Sequence, residues 1–326
     1  MLSRILAAVT IICLAGSTFG DERGPATTSI TLEPELGYGF GNSQYQITYS
    51  GYDSASTTYY AIRSKLIFPV DGLSGGAKVR FTRTLDARHR LGAAVGVSFP
   101  ITDPGSRMSD GDWVQIIPGP ETQVGYTQSR PQISGSLISA EGSYGFVNAN
   151  GPSYDIVFGF RYQRVTQDID NYSGWYAGVG YVQGNEPALH YRVTYTSPSI
   201  GLRVVTGGRP GRAQFRIEGA FAPTKMSDYD NHLLRKKDSR AEAWGMGGQG
   251  TAGIRFNLGR QRRGVAYLDL SARIFYTKAT MTQTQSWYGD DPATPTIDDT
   301  GTVLSGIPYS IKTLQFGFNA RLGFAL

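Results

Sequence analysis

The chain has 326 residues, 40% of them hydrophobic and only 17% charged, with 42 Gly, 20 Tyr and a formal net charge of +5. That length suits one large β-domain as well as two small domains, and so few charges are unusual for a surface that faces only water. The mild basicity comes without a Lys/Arg run interleaved with aromatics, which argues against nucleic acid and fits an acidic partner such as lipid phosphates.

Met1 to Gly20 reads as a signal peptide: Arg4 supplies the positive end, Ile5 to Gly16 the apolar run, and Thr18-Phe19-Gly20 a small-x-small cleavage site. The only cysteine, Cys13, lies inside that run with no lipobox before it, so residues 21–326 are expected to form a single domain without lipid anchor or disulfide. No later apolar run approaches the ~20 residues of a spanning helix. An exported chain of this kind is either soluble or spans a membrane as a closed barrel.

Two-residue alternation then predicts ten strands in order. The first covers Ile30 to Tyr49, with Ile30, Leu32, Leu36, Tyr38 and Phe40 on one face. The second covers Thr57 to Thr84 with a bend near Asp71 to Gly76, and the third begins after the turn at Asp86 to Arg90. A polar stretch, Asp103 to Pro131, reads as a long loop. The fourth strand, Gln132 to Val147, turns at Asn148 to Pro152 into a fifth with Tyr154, Ile156, Phe158, Phe160 and Tyr162 on its greasy face. A second long loop, Gln167 to Pro187, leads to a sixth strand whose apolar parity shifts around Pro198, where a bulge is expected. The seventh alternates from Ala213, and its polar parity, carried forward, contains Asp228, Asp230 and His232. The eighth (Ala243 to Leu258) and ninth (from Ala266) precede a third long loop, Met281 to Pro308, and the tenth ends the chain at Leu326.

Long and short connections alternate, and the polar faces carry full charges such as Glu33, Asp155, Arg161, Arg216, Asp269, Arg273 and Arg321, with the three arginines Arg161, Arg216 and Arg273 expected in interior ion pairs. A soluble sandwich has to bury its apolar face against a second sheet and leaves this charge unexplained. The expected fold is an all-β transmembrane antiparallel barrel of about ten strands in the outer membrane, with long extracellular loops and short periplasmic turns. Ten strands leave a lumen that side chains largely fill, so a wide pore is not expected.

Paired acids mark two loops: Ser109-Asp110-Gly111-Asp112-Trp113, and Asp228-Tyr229-Asp230-Asn231-His232. In an extended chain residues i and i+2 project to one side, so each stretch presents a two-residue claw. Here the sequence resembles the omptin family of ten-stranded outer-membrane proteases, in which an Asp-x-Asp-Trp follows the third strand and an Asp-x-Asp-x-His the seventh. Lys65-Leu66-Ile67-Phe68, the Thr127 to Pro131 region, Phe158-Gly159-Phe160-Arg161-Tyr162 and Pro198-Ser199-Ile200-Gly201-Leu202 look like omptin segments in the same order.

The resemblance implies a metal-free and cofactor-free aspartic-type endopeptidase. His232 would act as general base, Asp230 would orient it, and Asp110 with Asp112 would hold the attacking water. Asp228 matches one acid of the family's pocket for a basic side chain, while the companion position falls near Gln44-Tyr45-Gln46. Another family acid falls near Gln128. Lipopolysaccharide is implied as lipid partner and activator, through Arg164 and, beside the departing Thr194, Arg192; peptides or proteins at the cell surface are the implied substrates.

Taken by themselves, Asp-rich loops also fit solvated polarity or cation binding, although one His with carboxylates on separate loops lacks a compact metal-ligand spacing. A catalytically silent barrel that uses its loops as adhesin or receptor is the second reading, and a small-solute channel the third. Of the other histidines, His89 is expected solvated in its turn and His190 structural near the rim.

Overall fold

The computed structural model of the protein describes residues 28–52, 58–148, 151–207, 213–261, 264–292 and 298–325. The export segment Met1 to Gly20 with Cys13, the terminal Leu326, and parts of the turns after the fourth, sixth and eighth predicted strands lie outside the described residues. Six strands run 23–26 residues, far beyond the ~10 that a bilayer requires: β1 (Thr28–Tyr52), β6 (Glu121–Phe146), β7 (Ser153–Tyr176), β12 (Lys237–Gln261), β13 (Gly264–Trp287) and β14 (Val303–Ala325). Four further staves are built from segments in line: β2 (Tyr59–Pro69) with β3 (Gly72–Thr84), β4 (His89–Pro100) with β5 (Met108–Ile116), β8 (Gly180–Gly184) with β9 (Leu189–Gly207), and β10 (Gln214–Phe221) with β11 (Thr224–His232). Six and four make ten. β1 pairs with β14 from Thr31↔Ala325 to Ile47↔Tyr309, which closes the ring, and every pairing is antiparallel.

Much of the sequence expected as loop is strand. Asp103 to Pro131 contains β5 and the first residues of β6, Gln167 to Pro187 contains the end of β7 and β8, and Met281 to Pro308 contains the end of β13 and the start of β14. Above the bilayer neither face of a strand must be greasy, so these segments pair without displaying the hydrophobic alternation that marks them lower down. Among the described residues the helical structure is one 3-10 turn, Leu233–Arg235, and no helix is long and apolar enough to cross a membrane.

The expected bend at Asp71 to Gly76 exists. Gly72 sits at φ 144°, with Thr102 oxygens 3.0 Å from where a Cβ would stand, and the Asp71 carboxylate accepts hydrogen bonds from the Gly105 and Ser106 amides at 2.8 and 3.0 Å. The bulge expected at Pro198 does not exist. β9 keeps one register against β7 through Phe160↔Pro198, and the register on either side of the β10–β11 break sets Pro198 opposite Pro223. Two residues without N–H groups thus face each other where the ladder is interrupted, and no extra residue is needed.

The parity shift around Pro198 has a different cause: the barrel has two zones of opposite polarity. In the lower zone the outward side chains form an apolar band, with Leu32, Phe158, Leu202, Ile217 and Phe318 each 50–67% exposed. Inside that zone lies charge. Asp269 takes Arg255 at 3.0 Å, Arg216 at 3.3 Å and Arg321 at 3.6 Å, and Glu141 takes Arg203 at 2.6 Å. Arg216 is thus ion-paired as expected. Arg161 and Arg273 are not, among the described residues; Arg161 donates instead to the side chains of Gln163 and Gln315. His89, expected solvated, stacks on Tyr144 with its Nδ1 2.8 Å from the tyrosine hydroxyl.

Removing Asp269 is expected to be costly because, among the described residues, Arg216 would then have no carboxylate partner, and Arg255 and Arg321 would keep only Glu33 at 3.9 Å and Glu35. Breaking a buried pair costs ~3–5 kcal/mol. Asp269→Ala should therefore lower the temperature at which the folded, heat-modifiable gel band converts to the unfolded one, and Asp269→Asn, which retains an acceptor, should lower it less.

In the upper zone the polarity reverses and the greasy side chains point inward. Tyr45, Phe68, Tyr191, Tyr195, Met226, Phe275 and Tyr309 are at most 2% exposed and form a core across the lumen. Phe68 of β2 stacks on Tyr191 of β9 with ring centroids 3.7 Å apart, and the Tyr195 hydroxyl lies 2.8 Å from that of Thr313 on β14. These contacts join opposite walls, so the barrel is pinched shut at this level.

Candidate active site

β11 inherits the parity of β10. Phe221↔Gly248 and Thr224↔Gly245 belong to one register, so the break at Ala222 and Pro223 neither adds nor removes a residue, and Asp228, Asp230 and His232 all face the lumen. Asp230 lies opposite Tyr191 on one side and Ser239 on the other, while His232 lies opposite Leu189 and Lys237. The His232 Nε2 is 2.9 Å from the Asp230 Oδ2, with the imidazole 22% exposed and the carboxylate fully buried. A hydrogen bond from Nε2–H to the carboxylate leaves Nδ1 as the proton acceptor.

The second acid pair stands on β5, also a strand and not a loop. Asp110 lies opposite Leu66 on β2 and Thr127 on β6, and Asp112 opposite Ser64 and Gly125. Leu66 is one inward step from Phe68, and Tyr191 is the register partner of Asp230. Because Phe68 and Tyr191 touch, the two acid ladders stand just above the pinch and face each other across a narrow cleft.

Electrostatics agree with that geometry. The Asp110 carboxyl is held well above the ordinary carboxylate range, chiefly by burial, then by the charge of Asp112 and that of Asp230 on the opposite wall. Burial, and next the neighbouring Asp230, raise Asp228 to about 8. Lys237 is brought down to about 8 by burial and by Arg235, against the pull of Asp230, Asp291 and Asp112. Its ammonium donates to Gln285 at 3.5 Å and lies 5.5 Å from the Trp287 ring centre. Tyr176, whose strand partner is Gly125, is pushed upward by burial and by Asp110 and Asp112.

Several buried polar atoms in the cleft lack partners: Asp110 Oδ1, Asp230 Oδ1, both Asp228 carboxylate oxygens, and the hydroxyls of Tyr191, Tyr309 and Ser239. The Tyr191 and Tyr309 hydroxyls face Asp228 without well-aligned bonds to it. Unpaired buried acceptors and donors in such density call for water or a polar guest.

All five residues singled out from the sequence, Asp110, Asp112, Asp228, Asp230 and His232, thus line one cleft. Lys237 and Tyr176 belong beside them and were missed, and so does Tyr45, which the sequence placed only near the expected companion acid. Lys237 was legible in principle, since a tight turn after His232 returns it to the same row; Tyr176 and Tyr45 come from strands remote in sequence. Of the three residues near the expected companion acid, Tyr45 is the inward one, 1% exposed, its hydroxyl donating to Gln283 at 2.7 Å. Gln128 points outward and donates to the Tyr126 hydroxyl.

Arg164 and Arg192 stand on the outer wall above the apolar band, Arg164 paired with Thr194 and Arg192 with Tyr229. The Arg192 guanidinium lies 5.0 Å from the Tyr229 ring centre, and Arg240 of β12 lies 5.3 Å from the same ring. Arg240 is a third member of this patch that the sequence did not suggest.

Comparison with protein-family models and with curated protein sequences gives no match. Among solved structures the chain is similar to the outer-membrane protease OmpT from Escherichia coli, with a TM-score of 0.63 and 15% identity over 95% of this chain and 99% of that one. It also matches the outer-membrane protein OprG from Pseudomonas aeruginosa, with a TM-score of 0.36 and 9% identity over 94% and 99% of the two chains. The fold is that of an outer-membrane β-barrel.

Proposed function

We propose that this chain is an omptin-like endopeptidase that hydrolyses peptide bonds in the cleft above the pinch. The observation that carries the reading is the Asp230–His232 pair, 2.9 Å apart, facing a second acid pair across the lumen. Asp230 holds the imidazole by Nε2 and stabilises the imidazolium once it forms. Neutral His232 takes a proton from water at Nδ1. On the far wall Asp112 accepts a hydrogen bond from that water, while Asp110, kept protonated by its surroundings, donates to the carbonyl oxygen as it becomes an oxyanion; when the C–N bond breaks, the His232 imidazolium returns its proton to the leaving amine. The likeness in fold to a protease of known structure supports this reading, as do the motifs in their order.

The test is incubation of the refolded, detergent-purified barrel with a diverse peptide library, with lipopolysaccharide present, read by mass spectrometry. New termini that disappear in His232→Ala support hydrolysis here. A folded wild type that cleaves nothing transfers the function to the adhesin or receptor reading.

Specificity should depart from a preference for paired basic residues. Asp228 is 3% exposed beneath the phenols of Tyr191 and Tyr309, and Tyr45 fills the place where a second acid is expected. One buried carboxylate under three tyrosines is a poor receptor for a cationic side chain.

The outer patch of Arg164, Arg192 and Arg240 is the proposed lipopolysaccharide contact, and the lipid the proposed activator. Arginine binds phosphate with charge-assisted, often paired hydrogen bonds. Arg240→Ala and Arg192→Ala should each weaken lipopolysaccharide binding by about tenfold, on the order of 1.5 kcal/mol for a hydrogen bond to a charged group, measured by titration in detergent. Binding that is unchanged in the double variant counts against this surface.

A further inference from the structure

Among the described residues, two guanidinium groups in the lumen have no carboxylate within 4.0 Å, the nearest acid to Arg273 being Glu35, whose charge still reaches it. Arg161 of β7 and Arg273 of β13 both line each of two adjoining lumen cavities, of about 110 and 150 Å³. The acids in those linings are engaged elsewhere: Glu35 with Arg321, Glu141 with Lys78 and Arg203, and Glu218 with Arg203. Asp71, in the lining nearer the rim, accepts from the Gly105 and Ser106 amides. Among the described residues no carboxylate oxygen comes within 4.0 Å of Arg161 or Arg273, whereas their neighbours Arg203 and Arg321 each have at least two such contacts.

Arg161 is held in place by neutral groups. Its Nη2 donates to Gln163 at 2.6 Å and to Gln315 at 2.8 Å, and its guanidinium lies 4.2 Å from the Phe275 ring centre. Its Nε is buried with no acceptor. Gln315 spends its Oε1 on Arg161, so its Nε2 is fixed as a donor, and that atom too is buried with no acceptor. The atoms of Arg161 and Gln315 left over are therefore N–H donors, while Asp71 Oδ1 and Asn319 Oδ1 are unpaired acceptors elsewhere in the two linings. Outside this level the wall faces the apolar band, as Phe158 and Ile274 show. An unbalanced charge pair in such surroundings is expensive unless a counter-charge enters.

We propose that a small inorganic anion, of chloride to phosphate size, binds between Arg161 and Arg273 as a structural counter-ion at the waist of the barrel. It accepts from Arg161 Nε and Gln315 Nε2 and removes the repulsion between the two guanidiniums. Gluconate, bulkier and with its charge on a single carboxylate, serves as the reference anion. This site lies below the acid cleft and does not depend on the hydrolytic reading.

The experiment follows the conversion of the folded gel band with temperature at constant ionic strength, while gluconate is replaced by chloride or by phosphate. Anything that binds only the folded state raises its stability in a saturable way. The wild type should show a midpoint that rises and saturates with chloride or phosphate, and Arg161→Gln with Arg273→Gln should lose that response or need more than tenfold higher anion. A wild type indifferent to the exchange, or a double variant with unchanged half-saturation, overturns the proposal. Should the double variant fail to refold, wild-type crystals grown in bromide decide: an anomalous peak in contact with both guanidiniums supports the site, and its absence overturns it.

Discussion

Asp110→Ala, Asp112→Ala, Asp230→Ala and His232→Ala should each lower peptide cleavage by about 10²–10⁴-fold, the range expected when a general base or its support is removed. The barrel should persist, because among the described residues these side chains make no hydrogen bond or ion pair across the lumen; the pinch below them is made by Phe68, Tyr191, Tyr195 and Thr313. The folded gel band of each variant should therefore match wild type. Effects should be strongly non-additive, since a water held from one wall and deprotonated from the other needs both walls at once. A double variant, Asp112→Ala with His232→Ala, should be scarcely slower than either single one. Four variants that each lose only a fewfold, with effects that multiply, would mean that the acids tune substrate binding and the chemistry lies elsewhere.

Asp228→Asn should stabilise the barrel, and by more as pH rises. In the folded state Asp228 titrates near 8, against 3.8 for an unhindered side chain, so between those values the folded protein holds a proton that the unfolded chain does not. Stability from this group is full below pH 3.8, falls as pH rises, and levels off above 8. At about 1.36 kcal/mol for every pH unit separating those two values, the loss approaches ~6 kcal/mol, an upper bound because water entering the cleft offsets part of it. Lys237 acts in the opposite direction at higher pH: lowered from 10.5 to about 8, it regains stability across that interval. Urea midpoints of wild type measured from about pH 4 to 8 should decline, and those of Asp228→Asn should decline much less. Parallel curves for the two proteins would show that Asp228 ionises freely, which its 3% exposure opposes. Asp110 adds to the wild-type slope in the same direction.

The sequence by itself determined the class of fold and five of the residues that line the cleft. In the bilayer zone each strand has one face against hydrocarbon and one against a charged lumen, so the two-residue period is written in residue types, as Tyr154, Ile156 and Phe158 against Asp155 show. Asp228, Asp230 and His232 were legible for the same reason: an unbroken parity runs to them from Phe215 and Ile217 through the interruption at Pro223.

Only the tertiary structure decided where strands end and what faces what. Above the bilayer both faces meet water or the lumen, so the segments around β5, β8 and the ends of β13 and β14 carry no compulsory alternation and read as loops. The inversion of polarity around Pro198 could not be told from a bulge, because a register slip and a change of surroundings produce the same pattern in a single strand. The opposition of Asp110 to Asp230 rests on Phe68 meeting Tyr191, residues 123 positions apart (191 less 68), and no spacing rule within one chain encodes that contact. Nor does spacing tell that Arg216 finds Asp269 while Arg161 and Arg273 find no acid, since which charges meet across a lumen depends on the shear and flattening of the whole ring.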